Sequence, residues 1–365
     1  MNSNEINIIT TDYIYIPYNK EYKLFFKEQD YIHKEELIME SDNKKIYSTV
    51  SGTLLGLTTL NNKKYLVIEN DYKDKLKQKK GSKRFINKYT RDELNDLLNE
   101  YKIEYDTTSK VLIINGMDEY KDEITYNTLI KNYTIEILDT IDALIEILNI
   151  KKCFLSVSNA DDETVNILLN NIGTYPKIDL KIFTNDNIIS KKEVLVDKLT
   201  RFKTKKYKEQ YLSLFDVLKL YKLLKSKRIL TNTFLTVYDV KNNIKQVINV
   251  SLGSNLKDVL KELNIDDKNI VINGLLNGIS IKDTNFIIDE NIRSIFITKL
   301  EKFKEKKCIN CGLCLLVCPI NINPKYMYFN KDEKSKKYKE MCINCGLCSY
   351  NCPSKINLNK GCNND

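Results

Sequence analysis

Ten cysteines are placed very unevenly along this chain of 365 residues, and eight of them fall between Cys308 and Cys352. A disulfide framework would spread its cysteines through a small secreted domain, whereas here a long cysteine-poor chain ends in a cysteine-dense tail. This distribution indicates metal ligation, and it predicts a reducing compartment. Of the other two, Cys153 opens an apolar run and is expected to be a buried core thiol, and Cys362 is expected to bind nothing.

The eight clustered cysteines form two copies of the spacing C-x2-C-x2-C-x3-C-P. This is the spacing of bacterial two-cluster ferredoxins, in which three cysteines bind one cluster and the fourth ligates the other. Structural zinc also uses paired CxxC motifs, but it does not account for the third and fourth cysteines of both copies. We therefore predict two [4Fe–4S] clusters with crossed ligands. One is assigned Cys308, Cys311, Cys314 and Cys352, and the other Cys342, Cys345, Cys348 and Cys318.

The composition excludes several classes of protein. A formal net charge of +9, from 58 basic and 49 acidic residues, is mild for this length and argues against a dedicated nucleic-acid binder. No apolar run approaches the ~20 residues that span a bilayer, so no transmembrane segment is expected, and the segment 1–10 does not read as a secretory signal. The length allows two or three domains, and 42% hydrophobic residues allow an ample core.

Three regions precede the tail. Short strands with turn residues between them, over 12–70, predict a small sandwich or barrel. A capping box over 90–93 predicts the start of a helix. The strands that alternate with helices over 111–183 predict an α/β layer with parallel strands. This segment contains no GxGxxG or Walker loop. From 233 to 298, a hairpin, a helix capped by Ser254 and further strands predict an α+β unit of the β-grasp type.

Three polar features of the sequence could have a structural or a functional role. The only histidine, His33, lies in a polar turn without identifiable catalytic partners and is interpreted as a surface residue. The basic run within 71–89 is interpreted as a solvated linker, with contact to an acidic partner or to lipid headgroups as the alternative. The lysines of the tail either offset the negative charge of the clusters or are simply a solvated surface.

In this order the segments resemble the C subunit of the Rnf complex, the ion-translocating ferredoxin:NAD⁺ oxidoreductase of bacteria. The resemblance implies a multidomain α/β and α+β fold with four domains. These are a barrel-sandwich hybrid domain (1–80), a Rossmann-like α/β domain (85–230), a soluble-ligand-binding β-grasp domain (231–300) and a two-cluster ferredoxin domain (301–365). The resembling segments are 30–34 and 48–54, 112–116, 251–253 through 277–280, and 345–358.

The chain departs from that family where the family holds its flavin. The family's glycine-rich loop, of the form GxGGAGFP, is replaced by the glycine-free segment 103–110. Flavin needs close backbone approach, so FMN is not expected and the chain's own flavin and NADH site is expected to be lost. The family's acidic turn after the first strand becomes Asn-Gly-Met-Asp-Glu-Tyr here. We interpret Asp118 and Glu119 as a solvated turn, with a remnant of a flavin site as the alternative.

The resemblance implies an iron–sulfur subunit that relays electrons between a reduced carrier, on the ferredoxin or NADH side, and a membrane-bound ion-translocating oxidoreductase. Its partners would be membrane-embedded and ferredoxin-like subunits, and it would lie peripherally at the cytoplasmic side of the membrane or in the cytoplasm. No catalytic residue is assigned, and enzymatic activity stays open. Two alternatives remain: a soluble relative serving another reductase, of the proline-reductase-associated type, or an active FMN-dependent NADH dehydrogenase subunit.

Overall fold

The structure is a computed structural model that describes residues 6–77, 85–184, 188–200, 208–266, 269–299 and 303–360. Its strands form four sheets, of six, four, four and three strands, and its last region consists of short helices around the cysteines. A mixed α/β multidomain fold with a C-terminal ferredoxin-like region was predicted, and it is confirmed at that level. Within the described ranges, no helix has both the length and the apolar character that crossing a membrane requires.

The first region holds two small antiparallel sheets packed around one apolar core. Their order is β2-β8-β7-β4 and β3-β5-β6, and Ile14, Ile38 and Leu54 are fully or almost fully buried between them. The first strand, β1, belongs elsewhere, because it pairs with a strand of the third region. The strands are β1 (Ile6–Ile9), β2 (Tyr13–Pro17), β3 (Lys23–Leu24), β4 (Tyr31–Ile32), β5 (Leu37–Glu40), β6 (Lys45–Tyr47), β7 (Gly52–Leu60) and β8 (Lys63–Asn70).

The stretch 46–54, within the region where short strands were expected, is divided between β6 and β7. Serine side chains at the junction bind nearby backbone and side-chain groups. The hydroxyl of Ser48 donates to the carbonyl oxygen of Val50, and the hydroxyl of Ser51 donates to Asp71 at 2.6 Å. The chain therefore turns between the two sheets at this point.

The second region is a parallel sheet with helices, as the alternation of strands and helices predicted. Its order is β11-β10-β9-β12, with every neighbouring pair parallel. The capping box at Thr90 is confirmed, since its side chain accepts from the amide of Glu93 and the Glu93 side chain accepts in return. The elements are α1 (Arg91–Glu100), β9 (Val111–Asn115), α2 (Thr125–Leu148), β10 (Lys152–Ser158), α3 (Asp162–Ile172), β11 (Ile178–Phe183), α4 (Lys192–Thr200), β12 (Glu209–Ser213) and α5 (Leu214–Ser226).

The third region is a six-stranded sheet of order β1-β14-β13-β17-β15-β16 around one helix. The predicted hairpin is present as β13 and β14. The helix cap is Asn255, whose side chain accepts from the amide of Lys257, and not Ser254 as expected from the sequence. Ser254 is instead fully buried, with its hydroxyl 3.1 Å from that of Thr11. The elements are β13 (Asn232–Asp239), β14 (Ile244–Ser251), α6 (Leu256–Glu262), β15 (Ile270–Ile272), β16 (Ile279–Ile281) and β17 (Ser294–Ile297).

A buried ion pair ties the first region to the end of α5. The side chain of Glu35, 2% exposed, accepts from two guanidinium nitrogens of Arg228 at 2.6 and 2.7 Å and from Lys222 at 3.0 Å. Burial alone would raise the pKa of Glu35, but the hydrogen bonds and charges of Arg228 and Lys222 outweigh it and lower the pKa. The carboxylate is therefore held ionised between two regions that are far apart in sequence.

Candidate metal centre

The cysteine-rich tail is built from four short helices joined by loops. They are α7 (Leu313–Leu316), α8 (Pro324–Phe329), α9 (Glu333–Met341) and α10 (Leu347–Tyr350). Each cysteine loop turns into its helix through a glycine of left-handed conformation, Gly312 with φ of 77° and Gly346 with φ of 76°. Side chains with a Cβ disfavour this conformation, so the glycine of each motif is required by the backbone turn.

Four thiols from both motifs line one cavity of about 90 Å³. It contains the three leading cysteines of the first motif together with the last cysteine of the second, and Ile356 and Leu358 complete its wall. Four thiolates around a space larger than one water molecule form a donor set that fits an iron–sulfur cubane. The four thiols are Cys308, Cys311, Cys314 and Cys352.

Backbone amides point at two of these sulfurs. The amide of Asn310 donates to Sγ of Cys308 at 3.5 Å. Burial raises the pKa of Cys314, while the backbone amide of Lys325 acts in the opposite direction. Amides directed at cluster sulfurs stabilise their negative charge and are one of the means by which a protein sets a cluster's reduction potential.

The fourth cysteine of the first motif, Cys318, lies instead with the second motif. Burial raises the pKa of Cys345, and the neighbouring thiols of Cys342 and Cys318 raise it further. Burial likewise raises the pKa of Cys348 to about 11. A raised pKa disfavours the thiolate form of Cys345 and Cys348, so binding a positively charged metal group would have to displace their protons. The structure thus brings together the residues of each predicted ligand set, and the ligation itself stays a prediction.

The two motifs contain the same heptapeptide, Cys-Ile-Asn-Cys-Gly-Leu-Cys, in different surroundings. In the second copy, a Cβ on Gly346 would lie 2.6 Å from the carbonyl oxygen of Leu276. The side chain of Asn277 also donates to the carbonyl oxygen of Asn344 at 2.6 Å. In the first copy, a Cβ on Gly312 would have no atom within 4 Å. The second motif is therefore packed on the third region, and the first is open.

Beside the second motif, a cavity of about 180 Å³ joins Cys345 to the turn that follows β9. Its wall includes Tyr120, whose ring centre lies 4.3 Å from Nζ of Lys191. Lys191 also lies 3.7 Å from Glu119. This turn therefore connects the α/β sheet to the second cysteine motif.

The interpretation of Asp118 as part of a solvated turn is wrong. Oδ1 of Asp118 accepts from the amide of Tyr126 at 2.8 Å, and Oδ2 is buried without a hydrogen-bond partner. Glu123, which was not singled out from the sequence, is 8% exposed, and its Oε1 is likewise without a partner. Burial raises the pKa of both carboxyl groups; the charge of Glu119 raises that of Asp118 further, and the charge of Asp118 raises that of Glu123 further. Because Glu123 precedes an amphipathic helix, its local sequence gives no sign of burial.

Asp118 and Glu123 both contribute to the wall of a cavity of about 450 Å³ at the carboxyl ends of β9 and β10. Lys131 lines it too and is bound to Asp161 at 2.7 Å and to Glu163 at 2.6 Å. The carboxyl ends of parallel strands are where α/β sheets commonly bind ligands. The cavity carries mixed charge, with two carboxyl groups that take up protons readily.

These raised pKa values predict a stability that falls as pH rises. In the unfolded chain the two groups have their ordinary pKa values of 3.8 and 4.5, whereas the folded protein retains their protons to higher pH. Stability is then lost from about pH 5 upward. Glu123→Gln should reduce this loss by about 1–3 kcal/mol between pH 5.5 and 8, measured by urea unfolding. The exposed Glu104→Gln should leave the pH profile unchanged, and an equal flattening in both variants would contradict the prediction.

Other candidates lie away from the cysteines. His33 is half-exposed in its turn, with Nδ1 3.1 Å from Glu36, as expected of a surface residue. Cys153 is 2% exposed and so is the predicted core thiol. Cys362 and positions 78–84 of the basic run lie outside the described residues. In segment 103–110, which stands where the flavin loop was expected, Asp106 accepts from the amide of Thr108 at 2.9 Å.

The family described as "4Fe-4S dicluster domain" matches residues 303–356. This match supports iron–sulfur clusters in the cysteine-rich tail. Among solved structures, the chain is similar to an NAD⁺-reducing [NiFe]-hydrogenase in its air-oxidized state, with 9% identity, a TM-score of 0.42, and coverage of 67% of this chain and 48% of that one. For the H₂-reduced state the identity is 8% and the TM-score 0.45, with coverage of 73% and 56%.

Two curated relatives are named as C subunits of an ion-translocating oxidoreductase complex. The protein of Buchnera aphidicola subsp. Baizongia pistaciae (strain Bp) is 26% identical over 62% of this chain and 48% of its own length. That of Buchnera aphidicola subsp. Acyrthosiphon pisum (strain APS) is 25% identical over 60% of this chain and 49% of its own length. The chain thus spans about half the length of these relatives. The resemblance to the C subunit of the ion-translocating oxidoreductase complex is confirmed by these homologues.

Proposed function

We propose that this protein is an iron–sulfur electron-transfer subunit of an ion-translocating oxidoreductase complex. It relays electrons between a reduced carrier, on the ferredoxin or NADH side, and a membrane-bound oxidoreductase. The observation that carries the proposal is the cavity lined by four thiols from both motifs, in the segment that matches a dicluster family. The homologues named as C subunits support membership in a complex of several subunits.

The proposal includes two [4Fe–4S] clusters and the crossed ligand sets predicted for the two motifs. When bound, such clusters accept and release single electrons. The chain holds them with thiolates from both motifs, directs amides such as that of Asn310 at the sulfurs, and excludes water with Ile356 and Leu358. These roles require no acid–base residue, so no catalytic residue is proposed.

The domain division extends the same proposal. We assign a barrel-sandwich hybrid domain to 1–80, a Rossmann-like domain to 85–230, a soluble-ligand-binding β-grasp domain to 231–300 and a ferredoxin domain to 301–365. Within 1–80, β1 is the exception, because it pairs with β14 in the six-stranded sheet. The two small sheets, the parallel sheet and the six-stranded sheet support the first three. Peripheral attachment at the cytoplasmic side of the membrane, beside membrane-embedded and ferredoxin-like subunits, is part of the proposal.

Metal analysis tests the clusters directly. Anaerobically purified protein should contain about eight irons and about eight acid-labile sulfides per chain, because eight cysteines serve two cubanes. Both clusters should show the paramagnetic resonance of [4Fe–4S]⁺ after reduction with dithionite. A colourless protein that holds zinc after anaerobic reconstitution would rule out the proposed function.

Flavin titration distinguishes the relay from a dehydrogenase. We expect the cluster-loaded protein neither to bind FMN tightly nor to be reduced by NADH, because segment 103–110 has no glycine that would let the backbone approach a flavin. The cavity beside Asp118 is the observation that favours the dehydrogenase instead. Micromolar binding by flavin fluorescence, or bleaching of the clusters by NADH without a partner, would establish that alternative.

A further inference from the structure

The identical heptapeptides of the two cysteine motifs provide an internal comparison. The second copy is covered by Leu276 and Asn277 of the third region, and the cavity at Cys345 leads inward to the α/β sheet. Among the described residues, the first copy has no such cover, and Cys311 within it is exposed. Since electron tunnelling between proteins requires short distances, only an exposed cluster can serve an external partner directly. Of the two motifs, the first is therefore the one exposed at the surface.

Large apolar side chains surround this exposed motif. Ile309 is 67% exposed and Leu316 82% exposed, and Leu313 and Leu315 are exposed by 40% and 43%. Four such side chains within eight residues are more than the scattered exposed leucines of an ordinary surface. We call these four residues the apolar patch. A patch of this kind beside a redox centre is typical of a protein-binding surface.

The sequence around the apolar patch is mainly basic. From Lys304 to Lys331 the chain has five lysines and one acidic residue, Glu305. Lys306 and Lys307 are exposed directly before Cys308, and Nζ of Lys325 lies 2.5 Å from Oδ1 of Asn310. By contrast, the stretch 332–341, before the second motif, mixes acidic and basic residues. A partner complementary to the first motif must therefore be acidic around an apolar centre.

We infer that the apolar patch and its lysines form the docking surface for an acidic one-electron redox protein, and that electrons leave or enter the chain through the cluster built on Cys308. This inference rests on the proposed function and adds the partner's chemistry and the point of contact. In the step, one electron passes from a reduced cluster to an oxidised partner, or in reverse, and no bond is formed or broken in this chain. The cluster built on Cys342 faces inward.

The test uses the cluster-loaded protein, reduced stoichiometrically with dithionite, and an acidic flavodoxin as the probe. Each flavodoxin takes one electron from a cluster and one proton from water, which gives its neutral semiquinone, followed by its visible absorption. We expect the second-order rate constant to fall as salt is added, because opposite charges steer the encounter. Basic cytochrome c, another one-electron acceptor, should show the opposite salt dependence.

Matched variants locate the surface. The double variant Lys306→Glu/Lys307→Glu should slow flavodoxin reduction about tenfold or more and speed cytochrome c reduction. Lys336→Glu/Lys337→Glu changes net charge equally, on an exposed pair in α9, and should change either rate less than about twofold. Leu316→Ser should slow flavodoxin reduction about fivefold, whereas Leu169→Ser, at a leucine 51% exposed on α3, should not.

Equal effects of the two lysine pairs, or of the two leucines, would overturn the docking inference. Iron content and paramagnetic resonance are measured on every variant, so a rate that falls because clusters are lost is distinguished from loss of docking, whereas absence of clusters from the unsubstituted protein would contradict the proposed function. Sedimentation tests whether a second copy of the chain occupies the apolar patch. Flotation with phosphatidylglycerol vesicles tests whether a lipid surface does. Self-association or vesicle binding that Leu316→Ser abolishes, without a change in the flavodoxin rate, would overturn the inference in favour of a second copy or a lipid surface.

Discussion

Cys352→Ser should disrupt the cluster built on the first motif, although Cys352 belongs to the second. Its side chain lies with Cys308, Cys311 and Cys314 around one cavity, packed against Ile356 and Leu358. A serine hydroxyl is a poorer iron ligand than a thiolate, so the cluster should lose iron and its resonance signal should change or vanish. Iron analysis and paramagnetic resonance of the reduced protein measure the effect.

Two further variants make this result specific. Cys318→Ser should disturb the other cluster, because Cys318 lies with Cys342 and Cys345. Cys153→Ser changes a buried thiol of the α/β domain, far along the chain from both motifs, and should leave both signals intact. If Cys352→Ser disturbs only the cluster built on Cys342, then each motif binds its own cluster and the crossed assignment is wrong.

Arg228→Ala should reduce the free energy of unfolding by about 3 kcal/mol or more. Arg228 binds both carboxylate oxygens of Glu35, which is almost completely buried, and its removal leaves only Lys222 to compensate the charge. Glu35 also has a left-handed backbone, with φ of 62°, which a non-glycine residue adopts at some cost. Urea unfolding at neutral pH, followed by circular dichroism, measures the loss.

The control for this prediction is an exposed pair. Lys219→Ala removes a partner of Glu290 at 2.8 Å, with both side chains more than a third exposed, and should cost less than about 1 kcal/mol. Adding Glu35→Gln to Arg228→Ala should restore part of the stability, because the uncompensated charge is then gone. If Arg228→Ala and Lys219→Ala reduced the free energy of unfolding equally, burial of Glu35 would not increase the effect of losing its partner.

Local signals in the sequence predicted the fold best where structure forms from neighbouring residues. The capping box at Thr90, the parallel order of β9, β10 and β11, and the hairpin of β13 and β14 follow from local side-chain chemistry and hydrophobic period. The cysteine spacing likewise identified the residues that the structure brings together around the cavity. In each case the signal lies in short stretches of sequence, even where the elements that it brings together, such as Cys308 and Cys352, are distant.

The remaining features depend on contacts between distant residues. The strand β12 and helix α5 were not assigned, because β12 is set by pairing with β9 across nearly a hundred residues. Ser254 was expected to cap a helix but meets Thr11 instead. Asp118 and Glu123 were missed as groups with buried oxygens because acidic residues in a turn are usually solvated, and their burial depends on residues distant in sequence, such as Ser294 beside Glu123.

The pairing of β1 with β14 has a consequence for synthesis. Asn7 and Gln246, whose side chains are joined at 2.7 Å, are 239 residues apart, so the ribosome makes one edge strand of the third region long before the rest of its sheet. Until β14 emerges, β1 exposes unpaired backbone groups, and its Ile6 and Ile9 have no sheet to pack on. The first and second regions can fold in chain order meanwhile, but the third cannot be finished without a segment already released. A substitution that weakens β1 should therefore slow the folding of a sheet whose other strands are encoded more than two hundred residues downstream.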